Sequence, residues 1–460
     1  MMTTIPVSLD TSLNECLNSD GSVRPLYRSM MDQLQSLGNS GLRERWRQAN
    51  RQVSLDAFTF LLDPHQFRPV PSDWIPRLIP IDHWSTIAAG VAQRLKALNG
   101  FLMDLYCGRQ DVVPEEVIYT SNYFYPNLQG FLPPGGVFAH IYGIDLVHLG
   151  DGKYYVLEDN LRIPSGIAYQ MKSREIMSGF MPEFAGGYDI LPYDIRGAYH
   201  HMFASLCNND SPTCVLLTDS KFGSAFFEHR YLSELLGIPL VEGSDLYIGH
   251  DGRVWTRALD QDFPVDLIYR RVEDLELFVP HVVEAYLNKK VILVNAMGAG
   301  AADDKLVFTW VPEMIRGYLG QEPLLPQATS YKLQSVEERR YVLDNLDDLV
   351  LKTRQGYGGI GVFIMPDLGP TYRTHLMQQI VENPEGFIAQ DTLDFSKHLV
   401  FDGDTGEFGE RYVDLRVYAI QDAKGQVTVF PGGLTRVAQP TGRVTNNSSG
   451  GLCKPTWVVQ

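Results

Sequence analysis

The chain has 460 residues, of which 44% are hydrophobic and 20% charged; this length suits two or three globular domains at about 100 to 200 residues each and excludes a disordered chain. A formal charge of -16 and a pI near 5.1 exclude a nucleic-acid backbone as the main partner, because neutralising phosphates takes a surplus of Lys and Arg. Cys16, Cys107, Cys207, Cys214 and Cys453 show neither CxxC nor Cys/His ligand spacing, which argues against a disulfide framework or a zinc site. The expected compartment is a reducing cytoplasm. The N-terminal MMTTIPVSLDTSLNE has no basic segment followed by an apolar one, and no run reaches the roughly 18 apolar residues of a membrane span, so no membrane partner is expected.

Residues 1–110 read as a helical N-terminal region. In STIAAGVAQRLKALNGFLMDLYCG the apolar Ile87, Val91, Leu95, Leu98, Leu102 and Leu105 recur at helical spacing, with Ser85 as N-cap and Gly108 as the stop.

Residues 111–204 contain GIDLVHLGDGKYYVLEDNLRIPSG, a hairpin pattern around an Asp151-Gly152 turn. If Gly150 faces Lys153, Asp145 lies opposite Glu158 and Gly143 opposite Asn160, while Asp159 points to the other face. Facing carboxylates repel across a sheet, and a divalent cation reverses that sign. The oxygens of Asp145, Glu158 and Asn160 therefore make a candidate magnesium platform, with room for a ligand over Gly143. A solvated hairpin is the alternative; the apolar Ile144, Val147, Val156 and Leu157 around the acids weigh against it.

In 205–300, TCVLLT, AFFEHRYLSELLG and IPLVEG follow as strand, helix, strand, a βαβ unit, with VDLIYRR and VILVNA as further strands. His229 reads as a packed helix histidine. GAGAADDK leads toward a helix starting near Asp303.

In 301–460 the glycines Gly356, Gly358, Gly359 and Gly361 of LVLKTRQGYGGIGVFIM include a literal GxGxxG, but a strand follows where a dinucleotide fingerprint needs a helix. A strand, glycine loop, strand order suits a flap over triphosphate, with Lys352 on the incoming strand; an ordinary glycine-rich hairpin stands equal to it on this segment alone. Lys305 by itself reads as a surface lysine. Asp414 and Arg416 share one face of DLRVYAI, and Arg436 lies just beyond the partner strand. An arginine inside DLRVYAI needs an acid or an anion, and Asp414 is the simple partner.

Eight segments in order, VLEDNLRIPSGIAY, FFEHRYLSELLGIPLVEGSDL, IYRRVEDLE, VNAMGAGAADDK, LVLKTRQGYGGIGV, FIAQD, DLRVYAI with PGGLTRVA, and SGGLCKPTWV, resemble the circularly permuted ATP-grasp family, to which glutathionylspermidine synthetase is distantly related. The metal acids precede the phosphate lysines here, and that order carries the permutation. The resemblance implies an α/β (α+β) ATP-grasp fold with a Rossmann-like pre-ATP-grasp domain. It implies magnesium on Asp145, Glu158 and Asn160, and ATP held by Lys305, Lys352 and the 356–361 loop, with Gln390 and Asp391 on the adenine side. Arg416 and Arg436 would stabilise charge during catalysis. The activity implied is an ATP-dependent carboxylate-amine ligase that forms an amide through an acyl phosphate, from a small-molecule or peptide carboxylate and an amine acceptor. A non-catalytic ATP-binding protein and a phosphotransferase are the alternatives, and homo-oligomerisation is left open. The pattern departs at Lys454-Pro455, where the family has a lysine followed by an acid, and no amidase segment is recognisable.

Overall fold

The hairpin is the middle of the largest sheet in the computed structural model, which describes residues 13–460 apart from 64–65, 151, 222, 258–260, 274, 357–360, 441 and 446–449. Its strands Ile141–His148 and Tyr154–Asn160 lie beside the long strand Glu407–Gln421, followed by Leu434–Val437 and Leu452–Lys454; Lys397–Asp402 and Val427–Val429 also pair with the long strand. All these pairings are antiparallel. Every residue of Ile141–His148 is buried, because both faces of the sheet are covered.

On one face Tyr142, Ile144, Leu146, Val417 and Ala419 pack with Val91, Leu95, Leu98 and Leu102 of the helix Ile81–Cys107. On the other, Ile141, Tyr418, Ile420 and Leu434 join a second cluster with the helices Arg28–Leu55 and Ile167–Phe180. The two-residue period of the strands separates these cores.

The helix with the Ile87 to Leu105 stripe begins at Ile81, four residues before the expected cap at Ser85. Pro80 supplies the extended residue at the start, and the Ser85 hydroxyl donates to the Ile81 carbonyl at 2.8 Å instead of capping. The first 110 residues also hold the strands Thr59–Asp63, Gln66–Pro69 and Arg77–Pro80, and the last of these pairs in parallel with Thr456–Val459 near the C-terminus.

The predicted βαβ unit is a four-stranded parallel sheet in the order Ile292–Val294, Leu267–Arg270, Cys214–Leu217, Leu240–Val241, with Phe226–Leu236 as a crossover helix. His229 is buried on that helix, hydrogen-bonded through Nδ1 to the Thr218 hydroxyl at 2.8 Å. Near Asp303 the expected helix start is replaced by two 3-10 turns, Ala299–Ala302 and Val307–Trp310, before the helix Val311–Leu319. Asp304 explains the delay: its carboxylate takes the Leu306 N–H at 2.8 Å and holds an open turn.

The sheet Ser330–Lys332, Phe387–Asp391, Leu349–Thr353, Val362–Ile364 carries the helices Val336–Asp344 and Pro370–Glu382. It closes on a hydrophobic cluster of its own that includes Leu333, Val342, Leu351, Leu376 and Ile380.

Candidate active site

Two one-residue offsets set the register of the acidic hairpin, and they cancel. At the turn the Leu149 N–H donates to the Lys153 carbonyl at 3.1 Å, so Lys153 faces Leu149 and not Gly150 as expected. Asp151 lies outside the described residues. A bulge at Leu157 then restores the expected alignment, with Asp145 opposite Glu158 and Gly143 opposite Asn160. The bulge frees the Leu157 carbonyl from the ladder, and it accepts from Lys352 Nζ at 3.1 Å.

Asp159 points to the opposite face, where it binds Arg94 through two nitrogens, each at 2.7 Å, and accepts from the Tyr142 hydroxyl. It is one half of a buried ion pair and no part of the platform. The space expected over Gly143 is occupied: a Cβ built there would meet Pro164 Cβ at 3.0 Å.

Charged residues run across the strands in alternating sign. Arg416 is the register neighbour of Asp145, and Arg436 that of Asp414. Arg416 donates to both Asp145 oxygens, at 2.6 and 2.7 Å, and Arg436 reaches Asp145 at 2.9 Å. The simple pairing of Arg416 with Asp414 is therefore corrected. Residues two apart on one strand share a face but sit farther apart than direct cross-strand neighbours, so Asp414 goes to Arg436, with Nε to Oδ1 at 2.9 Å. Burial opposes ionisation of Asp145, but Arg416 and then Arg436 hold its carboxyl well below the usual carboxylate range.

Both lysines approach from outside the hairpin, Lys305 to Glu158 and Lys352 to the neighbouring Leu157 carbonyl. Lys305 Nζ lies 2.9 Å from Glu158 Oε1 and also donates to the Gly356 carbonyl, which ties it to the start of the glycine loop. Burial works against its charge, yet Glu158 raises its pKa. Burial likewise disfavours the Glu158 carboxylate, as does nearby Asp145, but Lys305 and Lys352 together hold its pKa below the usual value. Lys352 has no carboxylate in direct contact among the described residues, and burial pushes its ammonium down to about 8.

Above these groups lies a cleft between the two sheets. Val350, Val362 and Ile364 form its apolar side on the smaller sheet, with Gln390 and Asp391 at the edge, while Glu158, Lys352 and Arg436 line its polar end. Gln390 donates to the Ser330 hydroxyl at 3.0 Å, and Asp391 accepts from the Tyr331 hydroxyl at 2.8 Å. The flap expected around the glycines is an antiparallel pair, Leu349–Thr353 with Val362–Ile364. Gly358 and Gly359 lie outside the described residues. Gly361 has φ +79°, and a Cβ there would fall 1.9 Å from the Thr353 hydroxyl. Gly361→Ala thus combines a backbone cost of about 1 to 2 kcal/mol with a steric clash; nucleotide affinity measured by calorimetry is expected to fall about tenfold or more.

Sequence reading missed the strut behind this loop. Arg354 holds both oxygens of Asp304 at 2.9 Å and donates to the Thr120 hydroxyl at 2.9 Å, with both ionic partners buried. The only signal was a charged residue beside a glycine loop, and its partner lies 50 positions earlier. Lys454 also receives its acid from elsewhere: Asp73, at 3.1 Å, in a fully buried pair away from the cleft. Lys454 therefore has an acid partner without one next to it in sequence.

The oxygen chemistry bears on whether a cation fits. Among the described residues no three His, Cys, Asp or Glu side chains cluster as a metal site. Glu158 is about a quarter exposed, at 28%, and lines the cleft, while Asn160 Nδ2 is buried without a hydrogen-bond partner. That nitrogen is a donor and cannot itself ligate a cation; the fit rests on the accessible Glu158 carboxylate, which suits magnesium because the ion takes one or two protein carboxylates and completes its shell with phosphates and water.

Residues 76–438 match the family model for circularly permuted ATP-grasp, type 2. An uncharacterized Synechocystis protein is 38% identical, over 97% of both chains. A Frankia casuarinae protein named "Putative glutamate--cysteine ligase 2-2" is 36% identical, over 97% of this chain and 54% of its own length. A glutathione synthetase-like effector from Globodera pallida, solved in apo form, superposes with a TM-score of 0.60 at 12% identity, covering 92% of this chain and 98% of the effector. In the described residues, no helix is long and apolar enough to cross a membrane.

Proposed function

Since this chain belongs to the circularly permuted ATP-grasp type 2 family, we propose that it is an ATP-dependent ligase joining a carboxylate to an amine through an acyl phosphate. The observation that carries this reading is that Lys305, paired with Glu158, and Lys352, on the adjacent Leu157 carbonyl, meet at the polar end of a cleft whose other wall is apolar. Such a cleft accepts a purine along Val350, Val362 and Ile364 while the triphosphate meets the lysines. The name of the Frankia relative favours an amino acid as the carboxylate substrate.

Phosphoryl transfer depends on charge neutralisation and alignment more than on covalent help from the protein. Lys305 and Lys352 would hold the phosphates, and the 356–361 loop would cover them. Glu158 and Asn160 would hold magnesium, with Asp145 giving up one guanidinium contact to join them; the ion supplies neutralisation of developing phosphate charge. A substrate carboxylate oxygen bonds to the γ-phosphorus as the bond to ADP breaks. An amine then attacks the acyl carbon, phosphate leaves, and the amine loses a proton. Arg416 and Arg436, which pair with Asp145, would stabilise the oxyanion of that second step.

The test is product identity. Purified protein with ATP, magnesium and a panel of amino acids, short peptides and polyamines should release ADP and phosphate only when an acid and an amine are both present. A stable phosphorylated product would replace ligation with simple phosphotransfer, and ATP binding without any turnover would leave a binding protein.

Lys352 makes this reading pH-dependent. With its pKa near 8, it is charged below that pH and loses its proton above it. Nucleotide affinity should be full below about pH 8 and weaken by up to about tenfold per pH unit above it, since only the charged form pairs with phosphate. Lys352→Arg, which stays protonated, should flatten the profile measured by calorimetry between about pH 7 and 9.5.

A further inference from the structure

A second cavity, of about 400 Å³, opens just past the metal-facing end of the hairpin. Arg162, two residues after Asn160, forms part of its wall, with Arg270, Tyr123, Glu273 and Leu275. Arg162 donates to Asp303 at 2.5 Å, and Asp303 also takes the Leu161 N–H at 3.0 Å. The cavity therefore shares a wall with the segment that carries Lys305. Gly300 keeps that wall open, since a Cβ there would come within 2.8 Å of Arg162 Cδ.

Arg270 is the unusual member. It is 5% exposed and donates to the carbonyls of Asn295 at 2.7 Å, Val272 at 3.1 Å and Ala296 at 3.4 Å. The other buried arginines each meet a carboxylate: Arg77 meets Glu15, Arg94 Asp159, Arg271 Glu228, Arg354 Asp304 and Arg436 Asp414. Among the described residues no carboxylate lies within ion-pair reach of Arg270. A guanidinium carries five N–H donors, so three carbonyls do not exhaust it, and a buried cation without a counter-ion is costly. Opposite in sign, Glu273 is exposed at the same cavity and touches Arg162 at 3.2 Å. The ring of Tyr123 backs Arg162 at 4.0 Å, and Leu275 adds an apolar patch.

We propose that this cavity binds the zwitterionic end of an amino acid or short peptide, its carboxylate on Arg270 and its ammonium on Glu273. The assignment rests on the ligase reading only in making that ligand one of the two substrates. Binding itself needs no ATP, so the two can fail separately.

The test is calorimetric titration without nucleotide, using L-glutamate and L-alanyl-L-alanine as probes. The wild-type protein should bind at least one of them. The C-terminal amide of alanylalanine should bind at least about tenfold more weakly, as expected when a charge-assisted pair is lost. Glu273→Gln, an exposed change that leaves the core intact, should weaken the zwitterion about tenfold while leaving N-acetyl-alanylalanine unaffected. Arg270→Gln should abolish binding, and Arg270→Lys, which keeps the charge, should restore part of it. Failure of both probes to bind the wild type, or equal binding of acid and amide, overturns the proposal. Binding that follows this pattern, with no ADP released when ATP, magnesium and the panel of acids and amines are supplied, supports the subsite and removes the ligase reading.

Discussion

Glu158→Gln is expected to lower magnesium-dependent ATP turnover by at least about a hundredfold, the scale on which one preorganised electrostatic partner acts in a buried site, while the far-ultraviolet circular dichroism and melting temperature stay near wild type. The side chain is 28% exposed at the cleft, so the neutral amide leaves no deeply buried orphan. Chemistry suffers twice: the negative charge of the metal-facing oxygen is lost, and Lys305, now without its carboxylate, is left with the Gly356 carbonyl as partner. Turnover at the wild-type rate in this variant would remove Glu158 from the metal site.

One residue along, Asp159→Asn should do the reverse. Asp159 is 3% exposed and holds Arg94, itself 1% exposed, which also bonds Gln327 Oε1 at 3.0 Å and lies over the Phe308 ring at 5.0 Å. Removing one partner of a buried pair strands the other charge, a loss of about 3 to 5 kcal/mol. That is a large part of a typical domain's stability. It should appear in urea unfolding as a lower midpoint at unchanged slope, with nucleotide affinity preserved in the protein that remains folded. A loss under about 1 kcal/mol would mean that Arg94 is solvated or paired elsewhere. The two changes are adjacent in sequence and opposite in effect because successive strand residues face opposite ways: Glu158 faces the cleft and Asp159 the helix Ile81–Cys107.

Much of the architecture follows from local pattern. The stripe from Ile87 to Leu105 produced a helix, the βαβ spacing produced a parallel sheet, and the strands on either side of the glycine loop paired as expected. The helix starts were less legible, at Ile81 and after Asp304, because capping is settled by single side-chain contacts. In the candidate site, the facing of Asp145 and Glu158 was readable, but by a route the structure altered: the turn is offset by one residue and the bulge at Leu157 undoes it.

The ion pairing could not be read. Asp145 and Arg416 are separated by 271 positions, Arg354 and Asp304 by 50, and Arg94 and Asp159 by 65. Nothing local distinguishes a strand arginine that meets Asp414 from one that meets Asp145.

The sequence by itself determined which residue types alternate on each strand, the glycines that let the flap turn, and the order of motifs that marks a permuted ATP-grasp chain. These depend on backbone conformation and on contacts a few residues apart. Only the tertiary structure decided which charge neutralises which, that Lys305 rests on Glu158 while Lys352 is left to the Leu157 carbonyl, and that Arg270 is buried without an acid among the described residues. Coulombic and desolvation energies depend on distance and burial after the sheets have packed, and neither is encoded in any short window of the chain.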